Sequence, residues 1–245
     1  MTSGPSLNAN SQRGSGVPLQ LDHVFICCDV GAPEADALIR LGLVEGSRNT
    51  HPGQGTANRR FFFRGGFIEL LWVQDAAKAQ SQSAAPTRLW PRWSQRNSES
   101  CPFGIAFSPA DAEVVSPPFE VWDYTPGYLP PGKVIRFARG TRLQEPELFY
   151  LGWPNAEAGA AGQPIDHAVP LIALKSVSVG VPTPAALSES LQAAVAAGLI
   201  TVHASATYRL TLEFSAPETV LLDLPQLRLV LRGSPDQEEP ANPCA

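Results

Sequence analysis

Short runs of branched and aromatic residues, separated by polar, proline-rich or glycine-rich stretches, dominate the chain. Such runs are typical of β-strands. Two other segments repeat apolar residues at helical spacing, and each of them ends at a Gly-Leu pair. The pattern therefore predicts an α+β fold with few helices. The predicted strands are 21–30, 59–66, 67–73, 102–108, 133–138, 146–151, 175–181, 207–214 and 227–232, and the predicted helices are 33–43 and 184–200.

Polar stretches divide this pattern. Residues 1–18 and 233–245 predict disordered tails, because they hold too little apolar surface to offset the entropy lost on ordering. Residues 75–88 predict a surface loop, and 153–170 predict a linker. Residues 125–132 predict a wide turn, because three prolines and two glycines exclude a helix or a strand interior.

The predicted elements recur in one order. The front of the chain and its back each follow the order β-α-β-β-β, and the middle is a reduced copy that almost lacks the helix. Aligning the front with the middle sets Glu69 over Glu147 and His23 over Phe103. We therefore expect paired modules over 19–152, a linker over 153–170 and a third, degenerate module over 171–232.

Composition and charge mainly exclude classes of partner, of location and of metal site. With 18 basic and 23 acidic residues, the net charge of −5 argues against a nucleic acid or an anionic membrane as partner. No apolar run approaches the ~20 residues of a membrane span. Residues 1–18 lack the apolar stretch of a secretory signal, so a cytoplasmic location is expected. The four cysteines form no CxxC pair, which favours buried reduced thiols over a zinc site.

The repeated module has a histidine early in its first strand and a glutamate in its last strand. In this it resembles the vicinal-oxygen-chelate superfamily, the group of glyoxalase I, bleomycin-resistance proteins and extradiol dioxygenases, and most closely the glyoxalase-like domain proteins. The resemblance spans about residues 20–232 and implies modules whose curved, mostly antiparallel mixed sheets surround a cleft. Four segments carry it: LDHVFIC (21–27), NTHPGQGTANRRFFF (49–63), FIELLWV (67–73) and QPIDHAVPLIAL (163–174).

The resemblance also implies metal ligands at His23, Glu69 and Glu147, while the fourth family position falls on Phe103, which cannot bind a metal. One imidazole and two carboxylates suit a divalent ion such as Mn, Fe, Ni, Zn or Mg, with positions left open for substrate. Glu147 could instead act as a catalytic base. Without a metal, we expect Glu69 to need a cation or a hydrogen-bond network, because a lone buried carboxylate is costly.

Two further histidines are candidate acid–base groups or replacement ligands, His51 in HPGQGTAN and His167 in IDHAV. Arg59 and Arg60 precede three phenylalanines, and strand alternation predicts that only one of these arginines faces a cleft. That arginine could hold a carboxylate or phosphate of the substrate. The remaining predicted substrate-binding residues are Asn49, Trp72 and Tyr150.

Several functions stay open. The favoured one is a metal-dependent lyase or isomerase that acts on a small, oxygen-rich, anionic metabolite. A second is a metal-free binding or sequestration module of the bleomycin-resistance type. A non-haem iron dioxygenase would need His51 or His167 to join His23, because such sites use two histidines and one carboxylate. A scaffold role, with a homodimer formed through exposed strand edges, is the last.

Overall fold

The computed structural model describes residues 19–110, 116–154, 162–182 and 187–236. Within these ranges the chain forms two mixed sheets and four short α-helices, so the predicted α+β class with few helices is confirmed. The predicted tail 1–18, residues 237–245 of the predicted C-terminal tail, and residues 155–161 of the predicted linker lie outside the described residues.

The first sheet has eight strands and curls into a half-barrel. Its strand order is β2-β3-β4-β1-β5-β8-β7-β6. β1 lies parallel to β4 and β5 lies parallel to β8, while β1 and β5 pair antiparallel at the centre. Two half-sheets of the same strand order therefore meet at the β1–β5 seam. The strands are β1 (Leu19–Cys27), β2 (Asn49–His51), β3 (Thr56–Phe63), β4 (Gly66–Val73), β5 (Phe103–Pro109), β6 (Val121–Tyr124), β7 (Ile135–Ala138) and β8 (Glu147–Leu151).

The second sheet has five strands in the order β10-β9-β11-β13-β12. Its first strand lies in the interior of the sheet, whereas β1 lies at the edge of its own half-sheet. After its helix, this part of the chain has four strands and not the expected three, because Val220–Leu224 forms a strand that the sequence pattern did not predict. β13 continues two residues into the predicted C-terminal tail. The strands are β9 (Ala173–Val181), β10 (Thr201–Ala204), β11 (Arg209–Ser215), β12 (Val220–Leu224) and β13 (Leu229–Ser234).

The helices are α1 (Ala35–Arg40), α2 (Ala76–Ala79), α3 (Leu89–Ser94) and α4 (Glu189–Ala196), and 3-10 turns occupy Ala85–Thr87 and Pro225–Leu227. α1 ends early because Gly42 adopts a left-handed conformation, with φ +95°, that stops the helix. α4 begins at Ser188, whose side chain caps the amide of Leu191. The sequence pattern did not predict α3, because six residues that include a proline are too few to show a period. No helix among the described residues is long and apolar enough to cross a membrane.

The first sheet is apolar on both faces, as its nearly continuous hydrophobic strands require. One face, called here the packed face, carries Ile26, Phe61 and Leu70 and is covered by α1 and the second sheet. Phe63 on β3 meets Phe214 on β11 at 4.6 Å between ring centroids. The opposite face, called here the cleft face, carries a smaller cluster of apolar side chains.

Residues 162–170, part of the predicted linker, pack against the first module. Ala168 donates its amide to the carbonyl of Gly42 at 2.8 Å. Farther on, Leu174 donates its amide to the carbonyl of Arg64 at 2.8 Å, and Arg64 forms a β-bridge with Ala173. These contacts fix the second sheet on the first and leave the cleft face open to a ligand.

Candidate active site

A cleft of about 400 Å³ opens on the cleft face of the first sheet. Its size falls within the ~300–1,000 Å³ that small-molecule sites occupy. β1, β3 and β4 supply most of its polar side, and the turn at 125–132 and β7 and β8 supply most of the other side. The polar side chains that line it include Asp22, His23, His51, Asn58, Arg60 and Glu69.

Asp22 and His23 meet because β1 contains a bulge. Leu21 pairs with Phe107 and His23 pairs with Ala106, so Asp22 is an extra residue in the ladder. A bulge re-aims side chains, and here two consecutive side chains line the same cleft. Asp22 Oδ1 lies 2.6 Å from His23 Nδ1. An ionised carboxylate only accepts, so Nδ1 donates and Nε2 is the nitrogen directed into the cleft.

The imidazole of His23 is fixed on three sides. Its ring stacks on Phe67 with centroids 4.3 Å apart and meets Phe149 edge-on at 5.4 Å. Nε2 lies 3.6 Å from Glu69 Oε2. His23 is 8% exposed and Glu69 is 6% exposed, and both line the cleft, so both groups sit at its floor.

Glu69 is positioned by the amide side chain of Asn58. Asn58 Nδ2 donates to Glu69 Oε1 at 2.5 Å, and Asn58 Oδ1 accepts from the backbone amide of Asn49 at 2.9 Å. The amide orientation follows, because its oxygen must accept and its nitrogen must donate. Asn49, one of the predicted substrate-binding residues, also lines the cleft.

Arg60 and Arg59 point to opposite sides of β3, as alternation predicts. Arg60 lines the cleft, and it donates through Nε and Nη2 to the carbonyl and hydroxyl of Ser47 at 2.8 and 2.6 Å. Burial lowers the pKa of Arg60, and the nearby charge of Glu69 opposes that shift. Arg59 instead binds both oxygens of Glu45 at 2.9 and 2.5 Å, and it donates to Asp36 on α1. Arg59 therefore fastens α1 to β3 and does not face the cleft.

His51 lines the cleft at the end of a hydrogen-bond chain. Its Nδ1 lies 2.8 Å from Thr56 Oγ1, which also accepts from Gln54 Nε2 at 2.7 Å. Tyr128 in the turn at 125–132 donates its hydroxyl to Gln54 Oε1 at 3.0 Å. Burial lowers the pKa of His51 and raises that of Tyr128, so both groups stay neutral near pH 7. The predicted wide turn thus closes one side of the cleft.

Glu147 does not join His23 and Glu69. It is 1% exposed, and its Oε2 accepts from Arg88 and Arg92 at 2.7 and 3.0 Å, while Oε1 accepts from Thr141 at 2.9 Å. Two guanidinium groups therefore neutralise this carboxylate. Among the described residues, no group of three or more histidine, cysteine, aspartate or glutamate side chains is placed to hold a metal ion. The three-ligand centre expected from the resemblance does not assemble in the described part of the chain.

His167 lies away from the cleft and joins two backbone segments of the first module. Its Nδ1 accepts from the amide of Val44 at 3.0 Å, and its Nε2 donates to the carbonyl of Phe62 at 2.8 Å. Both ring nitrogens are therefore used by backbone groups, which defines the neutral tautomer. Burial lowers the pKa of His167, in agreement with that neutral form.

Trp72 and Tyr150, two predicted substrate-binding residues, belong to the packed face. Each is three residues beyond its glutamate on the same strand, and an odd separation puts two side chains on opposite faces. Phe103 also lies in the packed-face core. The strand register sets Gly104 beside Glu147 and Phe25 beside Glu69, so His23 and Phe103 are not equivalent positions.

Sequence reasoning missed Asp22, Asn58, Gln54 and Tyr128. Asp22 had a signal, the Asp-His dipeptide, but neighbours in a regular strand point to opposite faces, and only the bulge overrides that rule. Asn58 lies two residues before Arg60 on β3, so alternation places the two side chains on the same face, and this was the available signal. Gln54 and Tyr128 lie outside regular strands, where no period sets the direction of a side chain.

Comparison with known proteins identifies the family to which the chain is similar. Residues 21–195 match the family model of the glyoxalase-like domain. No curated protein matches the chain. The crystal structure of a hypothetical protein from Staphylococcus aureus is similar over 89% of this chain and 100% of that chain, with 11% identity and a TM-score of 0.50. At that identity the likeness concerns the fold alone.

Two further solved structures are similar with lower scores. A methylmalonyl-CoA epimerase from Streptomyces coelicolor matches 55% of this chain and 94% of its own, with 17% identity and a TM-score of 0.36. A xylose isomerase-like TIM barrel/4-hydroxyphenylpyruvate dioxygenase fusion protein matches 83% of this chain and 38% of its own, with 12% identity and a TM-score of 0.43. Neither likeness carries an argument about the reaction.

Proposed function

The chain belongs to the glyoxalase-like domain family, and on that premise we propose that its cleft is the active site of a lyase or isomerase. The reaction would move a proton on a small, oxygen-rich anion. One observation carries the proposal: His23 is held at Nδ1 by Asp22, and its Nε2 faces Glu69 on the floor of the cleft.

His23 is suited to proton transfer by its surroundings. Asp22 fixes the tautomer and stabilises the imidazolium that forms when Nε2 takes a proton. Glu69 offers a second acid–base group at the same place, so that one group removes a proton and the other returns one. Arg60 supplies a cation for the carboxylate of the ligand, or for the negative charge that develops on an enolate oxygen.

The donor set suits a divalent ion only in part. His23 Nε2 and Glu69 Oε2 face each other, but Glu147, the third predicted ligand, is bound to Arg88 and Arg92. If Mn, Fe, Ni, Zn or Mg binds here, these two donors are the protein's contribution, and the ion would polarise a carbonyl of the ligand. Elemental analysis of protein purified without chelators, beside His23→Ala and Glu69→Ala, measures that contribution directly.

The test of the reaction is incorporation of solvent deuterium. Short 2-oxo acids are incubated with the protein in D2O, and proton NMR follows loss of the hydrogen next to the carbonyl. His23→Asn should lower the exchange rate at least about 100-fold, the usual range for a general base. His203→Asn is the matched control, because His203 is exposed on β10 in the second sheet. Equal exchange rates in wild type and His23→Asn would refute the proposed role of His23.

A second candidate is a metal-free binding module of the bleomycin-resistance type. The apolar side of the cleft, which includes Phe137 and Phe149, favours it. This candidate predicts tight binding without deuterium exchange. A non-haem iron dioxygenase has weaker support, because both nitrogens of His167 are engaged by backbone groups and, among the described residues, no three histidine, cysteine or carboxylate side chains are placed to hold one ion.

A further inference from the structure

The cleft has two unlike halves, and we infer from them that its ligand is amphipathic. An oxygen-rich anionic head would lie at His23 and Arg60, and an aryl or medium-length alkyl body would lie along the opposite half. The inference deepens the proposed function and rests on it for the position of the reacting carbon. It narrows the substrate class from small hydrophilic anions to acids with an apolar body.

An aromatic wall, defined here as Phe25, Phe137 and Phe149, lines the apolar half. Phe149 stacks on Phe25 with centroids 6.1 Å apart and on Phe137 with centroids 5.5 Å apart. Behind the wall, Trp122 stacks on Phe137 at 5.2 Å. These stacked rings are held by one another, so the wall is a preformed apolar surface that gains from contact with an apolar ligand.

The aromatic wall lies directly beside His23, the proposed acid–base group. Phe149 meets the ring of His23 edge-on at 5.4 Å between centroids, and no polar side chain is inserted between these two rings in contact. A ligand with its reacting carbon at His23 Nε2 therefore has the wall beside the next atoms of its chain. The apolar body is expected to be attached within a bond or two of that carbon.

The space beyond the head is enclosed mainly by apolar groups, and Lys133, whose ammonium lies 4.8 Å from the centroid of the Trp153 ring, is the charged side chain on that side. Leu129 and Pro130 of the turn lie on one side, Leu89 of α3 closes another, and Leu151 and Trp153 extend the lining past the aromatic wall. A three-carbon acid would fill only a small part of the cleft, whose volume of about 400 Å³ lies in the range for larger organic ligands. Water left against these side chains would oppose binding of a small hydrophilic anion.

The experiment is a chain-length series. Straight-chain 2-oxo acids of three to eight carbon atoms, with 2-oxo-4-phenylbutanoate, are titrated into wild-type protein by calorimetry. The Kd should fall about fourfold for each added methylene, the change that burial of one methylene produces. The phenyl compound should bind at least about tenfold more tightly than pyruvate.

One substitution tests the location of the body. Ile135 lines the apolar half, and Ile135→Trp should fill it, raising the Kd of the eight-carbon acid at least about tenfold and leaving that of pyruvate unchanged. Leu221→Trp is the matched control, because Leu221 is 66% exposed on β12 in the second sheet. If the Ile135 variant does not fold, the chain-length series on the wild-type protein still tests whether the ligand has an apolar body.

The outcomes separate the two proposals. A Kd that does not depend on chain length, or no binding by any member of the series, overturns the inference that the ligand is amphipathic. Tighter binding of longer acids without deuterium exchange supports the amphipathic ligand and counts against the proposed reaction. Exchange on pyruvate that does not improve with chain length supports the reaction and overturns this inference.

Discussion

Asp22 and His23 are adjacent in the chain, and their pairing depends on one extra residue in β1. The bulge brings a carboxylate to Nδ1 and turns Nε2 toward Glu69. At the scale of single residues, the proposed chemistry thus depends on the orientation of one imidazole ring.

Asp22→Asn tests that orientation. The amide keeps the shape of the side chain but removes the charge that stabilises the imidazolium, so deuterium exchange should fall at least about tenfold. The pH profile of exchange should shift at the same time, which a purely structural role would not produce. Asp123→Asn, at an exposed position on β6, should change neither quantity. Full exchange activity in Asp22→Asn would show that Asp22 does not orient His23 for catalysis.

Glu147 differs from Glu69 because its partners are two arginines. Glu147→Gln leaves Arg92, which is fully buried, without its carboxylate, so the free energy of unfolding should fall by about 3 kcal/mol. Urea denaturation measures the change. Asp223→Asn removes the exposed partner of Arg209 and should cost at most about 1 kcal/mol. If Glu147→Gln lost bound metal but kept its stability, the result would support Glu147 as a metal ligand and contradict a structural role for its ion pairs.

At the scale of elements, the β1–β5 seam joins the two half-sheets and carries Phe25, one member of the aromatic wall. Phe25 on β1 lies over Gly104 on β5, where a Cβ would come within 2.0 Å of the phenyl ring. Glycine is required there because any side chain would displace Phe25. Closure of the seam and the shape of the cleft thus depend on the same contact.

Gly104→Ala should therefore lower the free energy of unfolding by about 1–3 kcal/mol through overpacking. It should also weaken binding of long-chain acids, because Phe25 belongs to the aromatic wall. The control is Gly127→Ala, since nothing lies within 4 Å of a Cβ at Gly127. Thermal unfolding and calorimetry measure the two effects. Equal stability of the two variants would mean that the seam tolerates a side chain at Gly104.

At the scale of the whole molecule, two histidines are kept neutral by burial, His51 in the cleft and His167 between the first module and the segment that leads to the second sheet. The pKa of each is below its ordinary value of 6.5 in the folded protein. Between the folded and unfolded pKa values, the unfolded chain binds more protons. Stability therefore rises with pH in that window and is lost as pH falls below about 6.5.

Urea denaturation between pH 8 and pH 5 should show this loss. His167→Gln should be less stable at pH 8, because two backbone hydrogen bonds change, but its stability should depend less on pH below 6.5. His203→Asn should keep the full pH dependence of the wild type. A pH dependence in His167→Gln as steep as that of the wild type would contradict the assignment.

The sequence alone determined the class of fold, most strands, the family, and that only one of Arg59 and Arg60 could face the cleft. These features follow from local patterns, since alternation along a strand sets the faces and a run of branched residues marks the strand. It also indicated His23, Glu69, His51 and Asn49, which the structure brings to one cleft.

Only the tertiary structure decided which groups the predicted site residues contact. Arg88 reaches Glu147 across 59 positions of the chain, and His167 reaches Phe62 across 105. The bulge at Asp22 and the closure of the turn at Tyr128 likewise depend on residues that are distant in sequence. A carboxylate in a strand has the same local pattern whether an arginine, an amide or a metal meets it. Its role is set by whichever group the fold brings within hydrogen-bond distance.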